Sequence, residues 1–327
     1  MHLTLGILRQ SQAFSYALSF FWLDGFAVPA PAQVMYAVGQ PRNQLIIERQ
    51  KMEEVRENQS GYLRSLFPEY KWNFIADAIL EGSMGKVLVN DQENPCVVAL
   101  NLPQYKIYIL GGDAQHPAAR EFLAQLPGFS SLLFGMKGWK ERLDEVHQGK
   151  VIALKRYAFS NESLDLEKLK GIRSQLSENF QIERMSLQQA QQIADEKGDL
   201  AEGQSLGFTS PKDFIERGFG YCALEQGKIV CVASTGAVCT KGIEIQINTH
   251  KKYRGRGLAS ATGAALIIEC LGNSIDPNWD AATELSAGLA KKLGYTPRGE
   301  YDMYIYTGSR LLVNLRNFLR RFRGKEV

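Results

Sequence analysis

Between residues 243 and 248 the chain alternates Ile243, Ile245 and Ile247 with Glu244, Gln246 and Asn248. That pattern predicts a strand with one apolar and one polar face. From 258 to 271 the pattern changes to alanine, isoleucine and leucine at helical spacing, which predicts a helix. The same reading orders the rest. Residues 52–67 are charged and helix-like, and 72–80 puts positions 72, 75, 76, 79 and 80 on one helical face. Segments 86–90, 96–100, 105–110 and 151–159 read as strands, the first two joined by the turn 91–95. Residues 118–126 look helical. Ser186 caps a helix over 186–196, and Pro211 sits near the first turn of another over 208–217. Strands 220–225 and 228–238 meet at Gln226-Gly227, a hairpin turn. Residues 161–171 read as a connection. The class is therefore α+β, with an extension over 1–51, an N-terminal unit over 52–160, a second unit over 161–309 and a basic tail over 310–327.

Composition narrows this. With 327 residues, 45% hydrophobic and 22% charged, the chain can build more than one buried core. A net charge of +3 gives no global argument for nucleic acid. Cys96, Cys222, Cys231, Cys239 and Cys270 are odd in number and lack metal-ligand spacing, which reads as buried free thiols in a reducing, cytoplasmic setting. The four histidines form no i, i+3 or i, i+4 pair, so no metal is expected. Arg9, the apolar run 13–23 and the small residues 27–32 resemble a signal peptide. The preferred reading is a local element or an upstream extension, with Met35 or Met52 as alternative starts; the run is too short to span a membrane. In the tail, Leu311, Leu312, Leu315, Phe318, Leu319 and Phe322 share a broad helical face. It suits either a partner or an anionic membrane surface; packing on the N-terminal half is the preferred expectation.

The chemistry is in the stretch Glu244-Ile-Gln-Ile-Asn-Thr-His-Lys-Lys-Tyr-Arg254-Gly-Arg-Gly257-Leu-Ala259. It runs strand, basic glycine loop, helix. A helix N-terminus offers unpaired N–H groups and the positive end of the dipole, which suit a pyrophosphate. Gly255 and Gly257 permit positive φ and close backbone approach. Arg254 and Arg256 add charge. A P-loop would need Gly-x-x-x-x-Gly-Lys-Ser/Thr, and a dinucleotide fingerprint a third glycine at 260; neither is present.

Arg254-Gly-Arg-Gly257-Leu-Ala259 resembles the acetyl-CoA loop, Arg/Gln-x-x-Gly-x-Gly/Ala, of the Gcn5-related N-acetyltransferase superfamily. Pro277-Asn-Trp-Asp280, Ser286-Ala-Gly-Leu-Ala290, Lys292-Leu-Gly-Tyr295, Tyr301-x-x-Tyr304, Glu81-Gly-Ser-Met-Gly85-Lys-Val and Asn94-Pro95 are similar to the branch that includes the zwittermicin A resistance protein. The resemblance spans roughly residues 52–306. It implies an acyl-CoA N-acyltransferase fold, the N-terminal half being a degenerate copy by fold analogy. It implies acetyl-CoA as donor, no metal, and direct attack of a small-molecule amine on the thioester. The strand at 244–248 should hold the pantetheine arm and splay from the next strand, near 275–281. Cofactor contacts fall on Gln246, Ile247, Asn248, Arg254, Gly255, Arg256, Gly257, Leu258, Ala259 and Ser286. Glu244 is the candidate base or water-holding carboxylate. Two departures stand out: Thr283 occupies a common asparagine position, and Ala290 that of the general-acid tyrosine. Ser286, Tyr295, Tyr301 and Tyr304 remain as candidate acids. The alternative is a non-catalytic acyl-CoA sensor.

Overall fold

The computed structural model describes residues 52–55, 60–68, 74–196, 200 and 207–323. The extension over 1–51 lies outside them. The N-terminal half runs β1 (Glu53–Glu54), α1 (Ser60–Ser65), α2 (Phe74–Leu80), β2 (Lys86–Val89), β3 (Val97–Leu102), β4 (Ile107–Gly112), α3 (Pro117–Ala124), β5 (Ser130–Leu133), α4 (Trp139–Val146) and β6 (Val151–Ser160). The second half runs α5 (Leu166–Ser174), β7 (Phe180–Arg184), α6 (Leu187–Asp195), α7 (Pro211–Arg217), β8 (Gly220–Glu225), β9 (Lys228–Cys239) and β10 (Gly242–Thr249). It continues with α8 (Leu258–Gly272), β11 (Asp276–Asn278), β12 (Asp280–Ala281), α9 (Glu284–Leu293), β13 (Thr296–Tyr306) and α10 (Arg310–Arg323).

Local chemistry explains the elements that the pattern locates. Ser186 and Gln189 form a reciprocal capping box at α6, satisfying two otherwise orphan donors. Gln226 (φ 51°) and Gly227 (φ 79°) both adopt the left-handed conformation that a two-residue hairpin turn demands. The Asn90 side chain accepts from the amides of Cys96 and Val97 and closes the turn between β2 and β3. Elsewhere the pattern misleads or is silent. Glu53–Glu54 is not helical: it pairs as an edge strand with Leu88–Val89. β5, α4 and β7 carry no expectation, and residues 161–171 hold the start of a helix. In α5 only Leu169 is buried, so no apolar period shows; β7 is a half-exposed edge.

The two halves repeat one order. In the first, β2, β3 and β4 are antiparallel and β4 joins β5 in parallel across α3. In the second, β8, β9 and β10 are antiparallel and β10 joins β11 in parallel across α8. The final strands are exchanged: β13 pairs with β5 and β6, and β6 pairs with β12. One sheet therefore has the order β1-β2-β3-β4-β5-β13-β6-β12 and the other β11-β10-β9-β8-β7. Leu100, Ile109, Ala237, Met303 and Ile305 share a core, so side chains of both sheets are buried together. Burial of each such large side chain contributes about 1.5–3 kcal/mol, which binds the halves strongly.

Candidate active site

Strands β10 and β11 pair through Gly242–Asp276, Ile243–Pro277 and Glu244–Asn278. There the pairing ends. Asp280 and Ala281 turn to the other sheet and pair with Ala158 and Tyr157 of β6. Beyond Glu244, β10 pairs with β9 alone among the described strands. Its other edge, 245–249, borders a wedge and offers backbone groups that a ligand amide can meet. At the same level β9 carries an extra residue, Gly236, so that Glu244 faces Ala237 and Ile245 faces Thr235. Such a bulge re-aims side chains next to a site. Glu244 and Gln246 leave the strand on the face away from the Ile243–Ile245 core; Ile247 packs into the core under α8, and Asn248 lies near the wide end.

Thr249 leads into a short 3-10 turn, Lys251–Tyr253, capped by the His250 ring. His250 is thus a structural cap. Arg254 donates from Nε to the Thr249 carbonyl, 3.2 Å, and holds the loop closed. Arg256 pairs with Glu225 at 3.7 Å and lies over the Tyr253 ring. Gly255 and Gly257 both have φ near 80°, and a Cβ on either would meet nothing within 4 Å. The space beside them is open. Gly257 is the N-cap of α8 without any side-chain cap, so the first-turn amides of Leu258, Ala259 and Ser260 lack an N-cap acceptor. Leu258 anchors that turn in the core. Gly263 permits the close approach of α8 to β10: a Cβ there would come within 2.8 Å of Ile247 Cδ1.

At the apex of the wedge Glu244 is buried, 6% exposed. It accepts from Asn278 Nδ2 at 2.6 Å. Burial first, and the Asp280 carboxylate second, push its carboxyl up to about 8; the Asn278 amide and Arg156 oppose them. Asp280 is itself bound by Arg156, whose Nε lies 3.2 and 3.3 Å from the two carboxylate oxygens and 3.1 Å from the Tyr301 hydroxyl. Tyr301 donates to Asp280. Burial, and Asp280 after it, hold the Tyr301 hydroxyl well above the ordinary phenol range. Tyr301 is thus a fixed neutral donor. Arg156 comes from β6, so the N-terminal half supplies one member of the cluster.

The other sequence candidates are placed elsewhere. Tyr304 is three residues from Tyr301 on the same strand and faces the opposite side; its ring stacks on Phe134 at 4.8 Å within an apolar cluster of the N-terminal half. It does not join the wedge. Tyr295 is buried and its hydroxyl donates to the Pro277 carbonyl at 2.6 Å, which leaves it no proton to offer. Ser286 Oγ accepts from Trp279 Nε1, and Thr283 caps α9 by accepting from the Ser286 amide. Ala290 is fully buried in the core against α8. Sequence reading gives Asn278, Asp280 and Arg156 no role at the site. The signal for the first two is present as alternation: Asn278 and Asp280 flank Trp279.

A family profile described as GNAT acetyltransferase matches residues 64–304. The chain belongs to the GNAT acetyltransferase family. A GCN5-related N-acetyltransferase-like protein from Streptococcus suis 89/1591 is 28% identical, with a TM-score of 0.68 over 76% of this chain and 98% of its own. The uncharacterized N-acetyltransferase YdfB of Bacillus subtilis (strain 168) is 24% identical over 267 residues, 79% of this chain and 99% of its own. A GCN5-related N-acetyltransferase from Kribbella flavida, 14% identical, shares the fold with a TM-score of 0.51 over 73% of this chain and 96% of its own. Membership of this family implies acyl transfer from an acyl-CoA to an acceptor.

The N-terminal repeat differs at the place equivalent to the loop. Its helix α3 begins with Pro117, which has no N–H, and the His116 ring already accepts from the Ala118 amide. Asp113 adds a negative charge just before it. A phosphate would find few donors there and a repelling carboxylate. Calorimetric titration with acetyl-CoA is expected to give one site per chain; a stoichiometry of two would overturn this.

Proposed function

We propose that this enzyme transfers an acetyl group from acetyl-CoA to a small-molecule amine. The observation that carries the reading is Glu244, a carboxyl buried at the apex of the wedge and bound by Asn278, with burial and then Asp280 pushing its proton affinity up. The donor fits the residues present: the uncapped α8 start and the open space at Gly255 and Gly257 suit its pyrophosphate, and the open edge of β10 suits its pantetheine amides. Gln246, Ile247 and Asn248 contribute through their backbone, and Arg254 through the loop it closes. When bound, the thioester supplies an acyl carbon activated toward nucleophiles. Glu244, in its carboxylate form, takes the proton that the acceptor ammonium loses, directly or through one ordered water. Asn278 holds that carboxyl by a hydrogen bond, and Asp280, itself fixed by Arg156 and Tyr301, is the neighbouring charge that raises its proton affinity.

The resemblance to the zwittermicin A resistance branch, the cytoplasmic setting, and the division at 160/161 complete the proposal; they rest on the sequence motifs, the free thiols and the repeated strand order. Ala290 favours a second reading, a binding-only sensor, because the acid that the resemblance implies is missing. Coenzyme A release in the presence of an amine panel, with acetyl-CoA as donor, separates the two. Transfer to at least one amine is expected; tight acetyl-CoA binding without any transfer would favour the sensor.

The leaving thiolate needs little help, because a free thiol has a reference pKa near 8.5. Tyr301→Phe is therefore expected to lower kcat/KM by at most about a hundredfold. Tyr304→Phe, remote from the wedge, should change it less than Tyr301→Phe. A loss of several thousandfold in either, with folding and acetyl-CoA affinity intact, would identify a dedicated acid. Arg156 and Asp280 are poor probes of chemistry, since removing one partner of a buried ion pair costs about 3–5 kcal/mol of stability.

A further inference from the structure

Helix α10 leaves Leu311, Leu315 and Phe318 exposed. Leu311, Leu315, Phe318 and Phe322 are spaced four, three and four residues apart, which is the spacing of one line along a helix. A terminal helix docked by its apolar face would bury that line. Here Leu311 is 80% exposed, Leu315 53% and Phe318 56%. Among the residues of this helix whose burial is described, the buried one is Val313, at 8%, on a different side of the helix. The attachment is polar as well: Arg310 Nε donates to the Gln148 carbonyl at 2.9 Å. The helix is thus attached to the N-terminal half through Arg310 and Gln148, but not by the line of Leu311, Leu315 and Phe318.

The charges decide what covers that stripe. Residues 310–325 contain Arg310, Arg316, Arg320, Arg321, Arg323 and Lys325 and no acidic residue. A second copy of the helix would bring these arginines against their like, so self-association through the stripe is disfavoured. An anionic bilayer meets both features at once: apolar side chains enter the acyl boundary while basic side chains reach lipid phosphates. The helix has 14 residues, about 21 Å, and a hydrocarbon core is about 30 Å thick, so it lies in the interface and does not cross.

We propose that α10 is an in-plane anchor that holds this enzyme reversibly against an anionic lipid surface. The test is flotation of the full chain with vesicles of phosphatidylcholine alone and of phosphatidylcholine mixed with phosphatidylglycerol. Wild type is expected to float with the mixed vesicles and not with the neutral ones. The double variant Leu311→Ser/Leu315→Ser should lose at least about tenfold in partition, because both leucines leave the acyl boundary. Both positions are exposed, so melting temperature and acyl transfer should be unchanged. Absence of flotation on anionic vesicles overturns the proposal. So does equal flotation of the double variant, which means adhesion by charge alone. A wild-type dimer in solution that the double variant dissolves would assign the stripe to self-association and overturn it too.

Discussion

Glu244→Gln is expected to lower kcat/KM by about a thousandfold near neutral pH, within the usual range of acid–base contributions. The glutamine is nearly isosteric and still accepts from Asn278, so the wedge should keep its shape. What disappears is a proton acceptor. Because burial and the neighbouring Asp280 hold the carboxyl near 8, wild-type kcat/KM should rise with pH and level off as Glu244 ionises. In the variant that limb is gone, and only the titration of the acceptor amine remains. The deficit therefore shrinks at high pH, where free amine accumulates. Stability moves the opposite way. A carboxyl whose pKa is raised by folding binds more protons in the native than in the unfolded state between its ordinary value and about 8. Its contribution is fully present at low pH and is lost as pH rises through the folded value. Glu244→Gln should thus melt at a higher temperature than wild type at alkaline pH, with a smaller difference in acid. The measurement is a pH–rate profile beside a pH series of melting temperatures. An unaltered profile in the variant would remove Glu244 from the chemistry.

Gly257→Glu is expected to weaken acetyl-CoA by at least about a hundredfold. Two effects combine. Gly257 has φ 80°, where a side chain costs about 1–2 kcal/mol. The carboxylate would also stand at the uncapped start of α8 and repel the pyrophosphate, by about 1–4 kcal/mol at a few ångströms near a surface. Gly257→Ala carries the first effect alone and should lose about tenfold. A Cβ at this position would meet nothing within 4 Å, so neither variant disturbs packing. Calorimetry with acetyl-CoA reads both. If Gly257→Glu binds with unchanged affinity, the loop is not the pyrophosphate site.

Features whose physics is local are legible in the residue order. Alternation over 243–248 specifies a two-faced strand, the glycine-basic loop specifies an uncapped helix start, and Ser186 specifies a helix cap, which Gln189 completes as a capping box. These depend on neighbours within a few residues, so the pattern carries them. What lies between distant segments comes from the folded arrangement. Arg156 meets Asp280 and Tyr301 only because β6 and β13 are exchanged between the halves, and no periodicity encodes a pairing 124 or 145 residues long. That Tyr295 is bound to Pro277 and Tyr304 faces away from Tyr301 follows from register and packing, which composition leaves open. For α10 the residue order carries the amphipathic pattern, but which face meets solvent depends on where the body offers a burying surface: Val313 is covered, and Leu311 and Leu315 are left outside.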